Sequence, residues 1–189
     1  MKLHIVGASA SGVTTVGQAL ARELGIPYFD SDDYFWCKSQ HPFTERRDPV
    51  ARNKRLVEDL ERTSSWILGG SIINWGENLF PRFDLVVFLY LDPKIRLARL
   101  KERELERYGT MIYTDPQRNQ LFREFIAWAA DYDTETGLAS RTLSAHERWL
   151  SVCQSPVLRL VGDIRVEDRL EAIMQCLYPN TLKEVSSAT

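Results

Sequence analysis

The stretch LHIVGASASGVTT, residues 3–15, constrains the fold more than any other part of the chain. The short, mostly apolar run LHIV leads straight into Gly7, and a second glycine, Gly12, follows after four intervening small residues. From there Val16, Leu20 and Leu24 recur at helical spacing until Gly25 and Pro27 stop the pattern. The reading is a short buried parallel strand, a tight loop and a helix, in that order. A loop of this kind cradles an anion, because backbone N–H groups and the dipole at a helix N-terminus both favour negative charge.

The residue types sharpen that reading. The N–H groups of residues 8–14, from Ala8 through Ala10 to Thr14, can curl around a β-phosphate. Gly7 and Gly12 allow the backbone angles that this needs. Ser9 and Ser11 offer hydroxyl donors, Thr14 can place its hydroxyl on Mg2+, and Thr15 can reach an α-phosphate. The Walker A spacing GxxxxGK[ST] is complete except at one position, where Val13 stands for lysine. None of the other roles depends on the side chain at 13. What valine removes is an ammonium that bridges the β- and γ-phosphates during phosphoryl transfer.

The rest of the chain repeats the alternation. PYFD (27–30), WILGGS (66–71), DLVVFLYLD (84–92) and SPVLRLVGD (155–163) read as four further strands. Residues 50–61, 93–107, 117–131 and 166–177 read as helices, with 34–49 loop-like and 110–150 a helical insertion. The expectation is an α/β fold: a five-stranded parallel sheet with helices on both faces and a helical lid. At 189 residues the chain fits one domain, 1–180, followed by a flexible tail at 181–189. A net charge of −2 argues against nucleic acid as partner. Cys37, Cys153 and Cys176 are far apart, without metal-ligand spacing, which fits a reducing, cytoplasmic setting. LHIV is too short for a signal peptide, and no apolar run suits a membrane span, so no membrane partner is expected.

Three clusters lie where ligands sit in open α/β sheets. FDSDD puts Asp30, Asp32 and Asp33 just past the second strand; Asp32 could hold a metal-bound water or accept a proton from a substrate hydroxyl. Helix capping is the competing role for these aspartates. Arg96, Arg99, Arg103 and Arg107 are spaced to share a helix face and to fold over a triphosphate, unless Glu102, Glu104 and Glu106 merely neutralise them. Tyr34, Phe35, Trp36 and Phe43, with Arg46 and Arg47, fit a planar or sugar-like acceptor that carries negative charge. They also fit a small flap with its own core. Gly70, in GGS, lets backbone approach a ligand closely, and Gly162 and Asp163 border a possible adenine position. His146 reads as a structural residue.

With these pieces in place, the chain resembles phosphate-loop kinases of the adenylate kinase and shikimate kinase type over nearly its whole length. It is especially similar to a bacterial adenylate kinase-like group that reads GASGSG followed by Val or Thr. The resemblance implies a three-layer P-loop NTPase fold using ATP and Mg2+. It implies acceptor binding at Asp30 and Asp32 within a segment of about 31–62. Phosphate contacts from Arg99 and Arg103 would come from a lid of about 95–150, and adenine would lie at residues 162–164. Two departures stand out: Ala10 occupies a glycine position, and GGSIINWG replaces the DGFPR-like acceptor motif of adenylate kinases.

The leading expectation is a kinase that phosphorylates a small hydroxyl- or phosphate-bearing metabolite, a nucleotide or nucleoside among the candidates. Thr14 and Asp32 would serve the metal. Asp32 would orient the acceptor, with Asp30, Asp33, Trp36, Arg46 and Gly70 around it. Arg103 or Arg107 would replace the lysine charge. The alternative is a nucleotide-binding module or slow NTPase without transferase activity. A purely structural domain is a third reading.

Overall fold

The computed structural model describes residues 1–39, 43–76 and 79–179. The expected tail and His41 lie outside them. Five strands form one parallel sheet: β1 (Lys2–Gly7), β2 (Tyr28–Asp30), β3 (Trp66–Gly69), β4 (Leu85–Tyr90) and β5 (Val157–Val161). Their order across the sheet is β2-β3-β1-β4-β5, so the glycine loop leaves the central strand. Strand pairing sets Gly7 beside Leu89, and Gly69 beside both Ile5 and Asp30, so the carboxyl ends of four strands share one rim.

The two faces of the sheet follow from the two-residue period of a strand. Leu3 and Ile5 of β1, with Val87 and Leu89 of β4, pack against Val16 and Leu20 of α1 (Val13–Leu24) and Ile173 of α8 (Val166–Leu177). Val6, Leu68, Val86 and Phe88 point the other way. They meet Tyr34 of α2 (Ser31–Phe35), Leu56 and Leu60 of α3 (Pro49–Glu61) and Leu150 of α7 (Leu143–Val152). Each such side chain, once fully buried, stabilises the fold by about 1.5–3 kcal/mol. The insertion holds α5 (Met111–Thr114) and α6 (Pro116–Thr134), which pack on each other and on α4 (Pro93–Tyr108).

Helix starts are written locally. Asp48, Asp92 and Asp115 each cap a helix whose first turn carries Pro49, Pro93 or Pro116, a pairing that supplies both the acceptor and the fixed backbone angle. The loop-like reading of 34–49 fails at its start. Residues 31–35 form α2, because Asp30 accepts from the Asp32 N–H at 3.0 Å and caps that turn. Trp36 then bridges to Arg46 as an isolated antiparallel pair.

Candidate phosphate-loop site

The loop between β1 and α1 is shaped by what surrounds it. A Cβ on Gly7 would lie 2.5 Å from both Leu89 O and Ser11 Oγ, so only glycine fits. Gly12 takes φ +101° and opens α1 with no side-chain cap, although α3, α4, α6 and α7 all have one. The first N–H groups of α1 are thus left for a ligand. Ala10 adopts φ +65°, a left-handed conformation that glycine reaches at lower cost. Ser11 is fully buried and, among the described residues, its Oγ has no hydrogen-bond partner, an orphaned donor at the loop. These features fit a bound phosphate. Val13 is half-buried and packs against the core beside Val16.

Two arginines that sequence reasoning did not assign to the loop hold it from behind. Arg96, 1% exposed, donates to Ser9 O at 3.3 Å and to Ala129 O at 2.9 Å, and pairs with Asp133. Arg169, 3% exposed, donates to Ser11 O at 2.9 Å and Gly162 O at 3.2 Å. A signal for both was present: each replaces an apolar residue four positions before a buried Leu100 or Ile173 on its helix. Arg52 of α3 follows the same rule, four before Leu56.

Asp30 meets the loop directly. Thr14 Oγ1 donates to Asp30 Oδ2 at 3.0 Å, and Tyr28 OH donates to the same oxygen at 3.0 Å. The carboxylate beside the Thr14 hydroxyl is therefore Asp30 and not Asp32. Asp32, two residues on, is exposed as a whole residue, while protein crowded around its carboxyl desolvates that group and raises it above the ordinary range. Arg141 pulls that carboxyl back down, Asp30 pushes it up, and Arg103 pulls it down again. Asp33 is exposed, and its carboxyl too is raised, by partial burial and then by Asp30.

The arginine stripe divides. Arg96 turns inward, while Arg99 is exposed and holds Asp163 through two bonds of 2.7 and 2.9 Å. Arg103 lies within electrostatic reach of Asp32. Arg107 pairs with Glu104 at 3.4 Å and lies over Phe43 and Tyr108; none of these contacts is with the loop. Helical spacing alone put the four on one face, but Glu104 is buried and shared with Arg118, which fixes the outer end of the stripe elsewhere.

On the acceptor side, the Phe35 ring has Arg46, Arg52 and Arg141 at 5.7, 5.9 and 5.9 Å. Each arginine also lies over a tryptophan: Trp36, Trp75 and Trp128 respectively. Among the described residues, none of the three has a carboxylate within ion-pair distance. Gly70 adopts φ +93° and packs on Ser31, whose Oγ would lie 2.0 Å from an added Cβ. That close approach is to protein, so Gly70 is accounted for without a ligand. A cavity of about 30 Å3 adjoins Gly7 and Ser9 and reaches Ser71, Tyr132, Arg141 and His146. His146 is buried, shares hydrogen bonds with Tyr132 OH (2.8 Å) and Ser71 Oγ (3.2 Å), and is held neutral, its pKa lowered to about 3 by burial.

A parallel sheet of this order, with a glycine loop joining its central strand to α1, is a P-loop fold. The model of the AAA domain family matches residues 4–120, and the chain belongs to that family. It is 37% identical over 178 residues to the uncharacterized protein YqaC of Bacillus subtilis (strain 168), covering 94% of this chain and 98% of the relative. It is 26% identical over 186 residues to shikimate kinase 2 of Sodalis glossinidius (strain morsitans), covering 94% and 96%. Two solved structures share the fold. Shikimate kinase from Aquifex aeolicus aligns with a TM-score of 0.52 at 17% identity, covering 96% of this chain and 99% of that one. Deoxyadenosine kinase from M. mycoides aligns with a TM-score of 0.54 at 15% identity, covering 95% and 100%.

Proposed function

We propose that this protein transfers the γ-phosphoryl group of ATP to a hydroxyl of a small anionic metabolite, through a P-loop that lacks its lysine. The observation that carries the reading is one short turn, Asp30 to Asp32, that serves both sides of such a reaction. At one end Asp30 takes the Thr14 hydroxyl of the phosphate loop. At the other, Asp32 faces Arg141 and Arg103 beside the arginine-flanked Phe35. Relatives named shikimate kinase, probable gluconokinase and cytidylate kinase support the reaction class, since each name describes phosphorylation of a small molecule.

The chain's own groups would divide the work. The uncapped N–H groups of α1 and the Ser11 hydroxyl bind the phosphates. Thr14 and Asp30 would hold Mg2+, which when bound neutralises phosphate charge. Among the described residues no group of three His, Cys, Asp or Glu side chains could hold a metal by itself, and phosphate oxygens and water would complete the set around Thr14 and Asp30. Asp32 accepts the proton of the acceptor hydroxyl as its oxygen bonds to the γ-phosphorus and the bond to the bridging oxygen breaks, releasing ADP. Arg46, Arg52 and Arg141, which have no carboxylate within ion-pair distance among the described residues, offer an anionic acceptor its counter-charge. Trp36 and Phe35 would wall that side, Arg103, within electrostatic reach of Asp32, would serve the transferring group, and Arg99, Gly162 and Asp163 would border the nucleotide.

The test is transfer of label from γ-labelled ATP to a panel of hydroxy acids, phosphorylated sugars and nucleoside monophosphates. A labelled organic product from one class is the expected result. Release of inorganic phosphate alone, with every acceptor, would instead establish the slow-NTPase reading that Val13 favours.

A further inference from the structure

Val13 removes the one side-chain cation that a P-loop normally carries, and the valine is turned into the core beside Val16. We propose that Arg169, on α8, supplies the missing charge from behind the loop, acting through its backbone. The inference rests on the reading that this loop binds phosphates.

Position comes first. A Cβ on Gly12 would lie 2.8 Å from Arg169 Nη1, so the guanidinium sits against the turn that opens α1. Its Nη1 donates to Ser11 O at 2.9 Å across 158 residues of sequence. The Ser11 carbonyl and the Gly12 N–H belong to one peptide unit. A cation on that oxygen polarises that N–H, making it a stronger donor to an anion on the loop's open side.

Charge comes second. Arg99, the arginine whose charge acts on Arg169, is paired with Asp163, and Arg96, the other arginine bonded to the loop backbone, is paired with Asp133. Arg169 is 3% exposed and, among the described residues, has no carboxylate within ion-pair distance. Its Nε is buried without a partner, and its two bonded acceptors are neutral carbonyls. Asp163 reaches Arg169 electrostatically but is paired with Arg99, and a buried cation without an ion-pair partner of its own is costly. A phosphate in the loop is the counter-charge that such an arrangement lacks. A neutral strut could join Ser11 to Gly162 just as well, so the charge itself calls for an explanation, and this supplies one.

Arg169 is a positioning residue in this account, and its test is nucleotide affinity read by titration calorimetry of the full chain with Mg2+ and ADP. Wild type should bind ADP; no binding at millimolar ADP would sink the phosphate-loop reading itself. Arg169→Met, neutral and similar in length, should weaken ADP about tenfold or more, while Arg169→Lys stays within about threefold. Adding Val13→Lys to Arg169→Met should recover most of the loss, because the charge returns from the other side. In the wild-type background, Val13→Lys should gain less than about threefold, the charge being already present. A cooperatively melting Arg169→Met that binds ADP as wild type does would overturn the proposal. So would Arg169→Lys losing as much as Arg169→Met, or a gain of about tenfold or more from Val13→Lys alone, which needs no change at Arg169.

Discussion

Thr14 Oγ1 lies 3.0 Å from Asp30 Oδ2, a contact that joins the first turn of α1 to the end of β2. Two residues separated in sequence by the rest of α1 and the start of β2 thus present a hydroxyl and a carboxylate at one point. This is where a hard cation is expected to bridge protein and phosphate. Thr14→Val and Asp30→Asn should each raise the Mg2+ concentration needed for half-maximal ADP formation, by about tenfold or more. Mg2+ titration of turnover checks this, with the melting temperature as a control for folding.

Tyr28 reaches Asp30 through a slot with no side chains. A Cβ on Gly69 would lie 2.0 Å from its hydroxyl, and one on Gly17 would lie 2.2 Å from its ring. Gly69→Ala should therefore destabilise the fold by about 1–3 kcal/mol through overpacking. It should also raise the Mg2+ requirement indirectly, since Tyr28 can no longer hold Asp30. Denaturant unfolding and Mg2+ titration of the same variant read the two effects separately.

Asp32 should govern the acid limb of kcat/KM. Its carboxyl is raised from 3.8 chiefly by the surrounding protein, so the limb should fall above the ordinary carboxylate range. Arg141 holds that carboxyl down. Arg141→Met should consequently shift the limb to still higher pH, as well as raising KM for an anionic acceptor. An unchanged limb in that variant would disconnect Asp32 from Arg141.

Two histidines tie stability to pH. Burial lowers His4 to about 4 and His146 to about 3, from 6.5 in each case. Both stay neutral in the fold and take up protons more readily in the unfolded chain. Stability should therefore be full above about pH 6.5 and decline as the pH falls toward 4, by up to about 1.4 kcal/mol per unit per histidine. His4 Nδ1 contacts Leu68 O at 3.0 Å. His4→Gln keeps a donor there without titrating, and should reduce the slope by about half. Chemical denaturation across that pH range measures it.

Most of the fold was legible because it is written in short-range signals. Apolar runs ending at glycine marked β1 and β3, and Gly25 and Gly109 closed the helices where the periodicity stopped. The site was legible only where it is contiguous: residues 7–15 and the acidic turn. Helical spacing grouped Arg96 through Arg107, but which of them turns inward depends on Asp133 and Ala129 of α6, and periodicity says nothing of distant partners. Arg141 precedes α7 with no periodic signal, and only tertiary packing brings it to Asp32 and Phe35. Arg169 did leave a trace, as a charge on the apolar stripe of α8, since a cation at such a position is either an error or a buried partner.

In the proposed reaction Asp32 takes the acceptor proton while the phosphate loop holds ATP. The measurement that tests it most directly is single-turnover transfer from γ-labelled ATP to the acceptor, in wild type and Asp32→Asn, with ATP affinity measured alongside. Transfer should slow about 10²–10⁴-fold in Asp32→Asn, with ATP binding unchanged to within about threefold. Undiminished transfer in Asp32→Asn, or tight ATP binding by wild type with no acceptor ever phosphorylated, would contradict it.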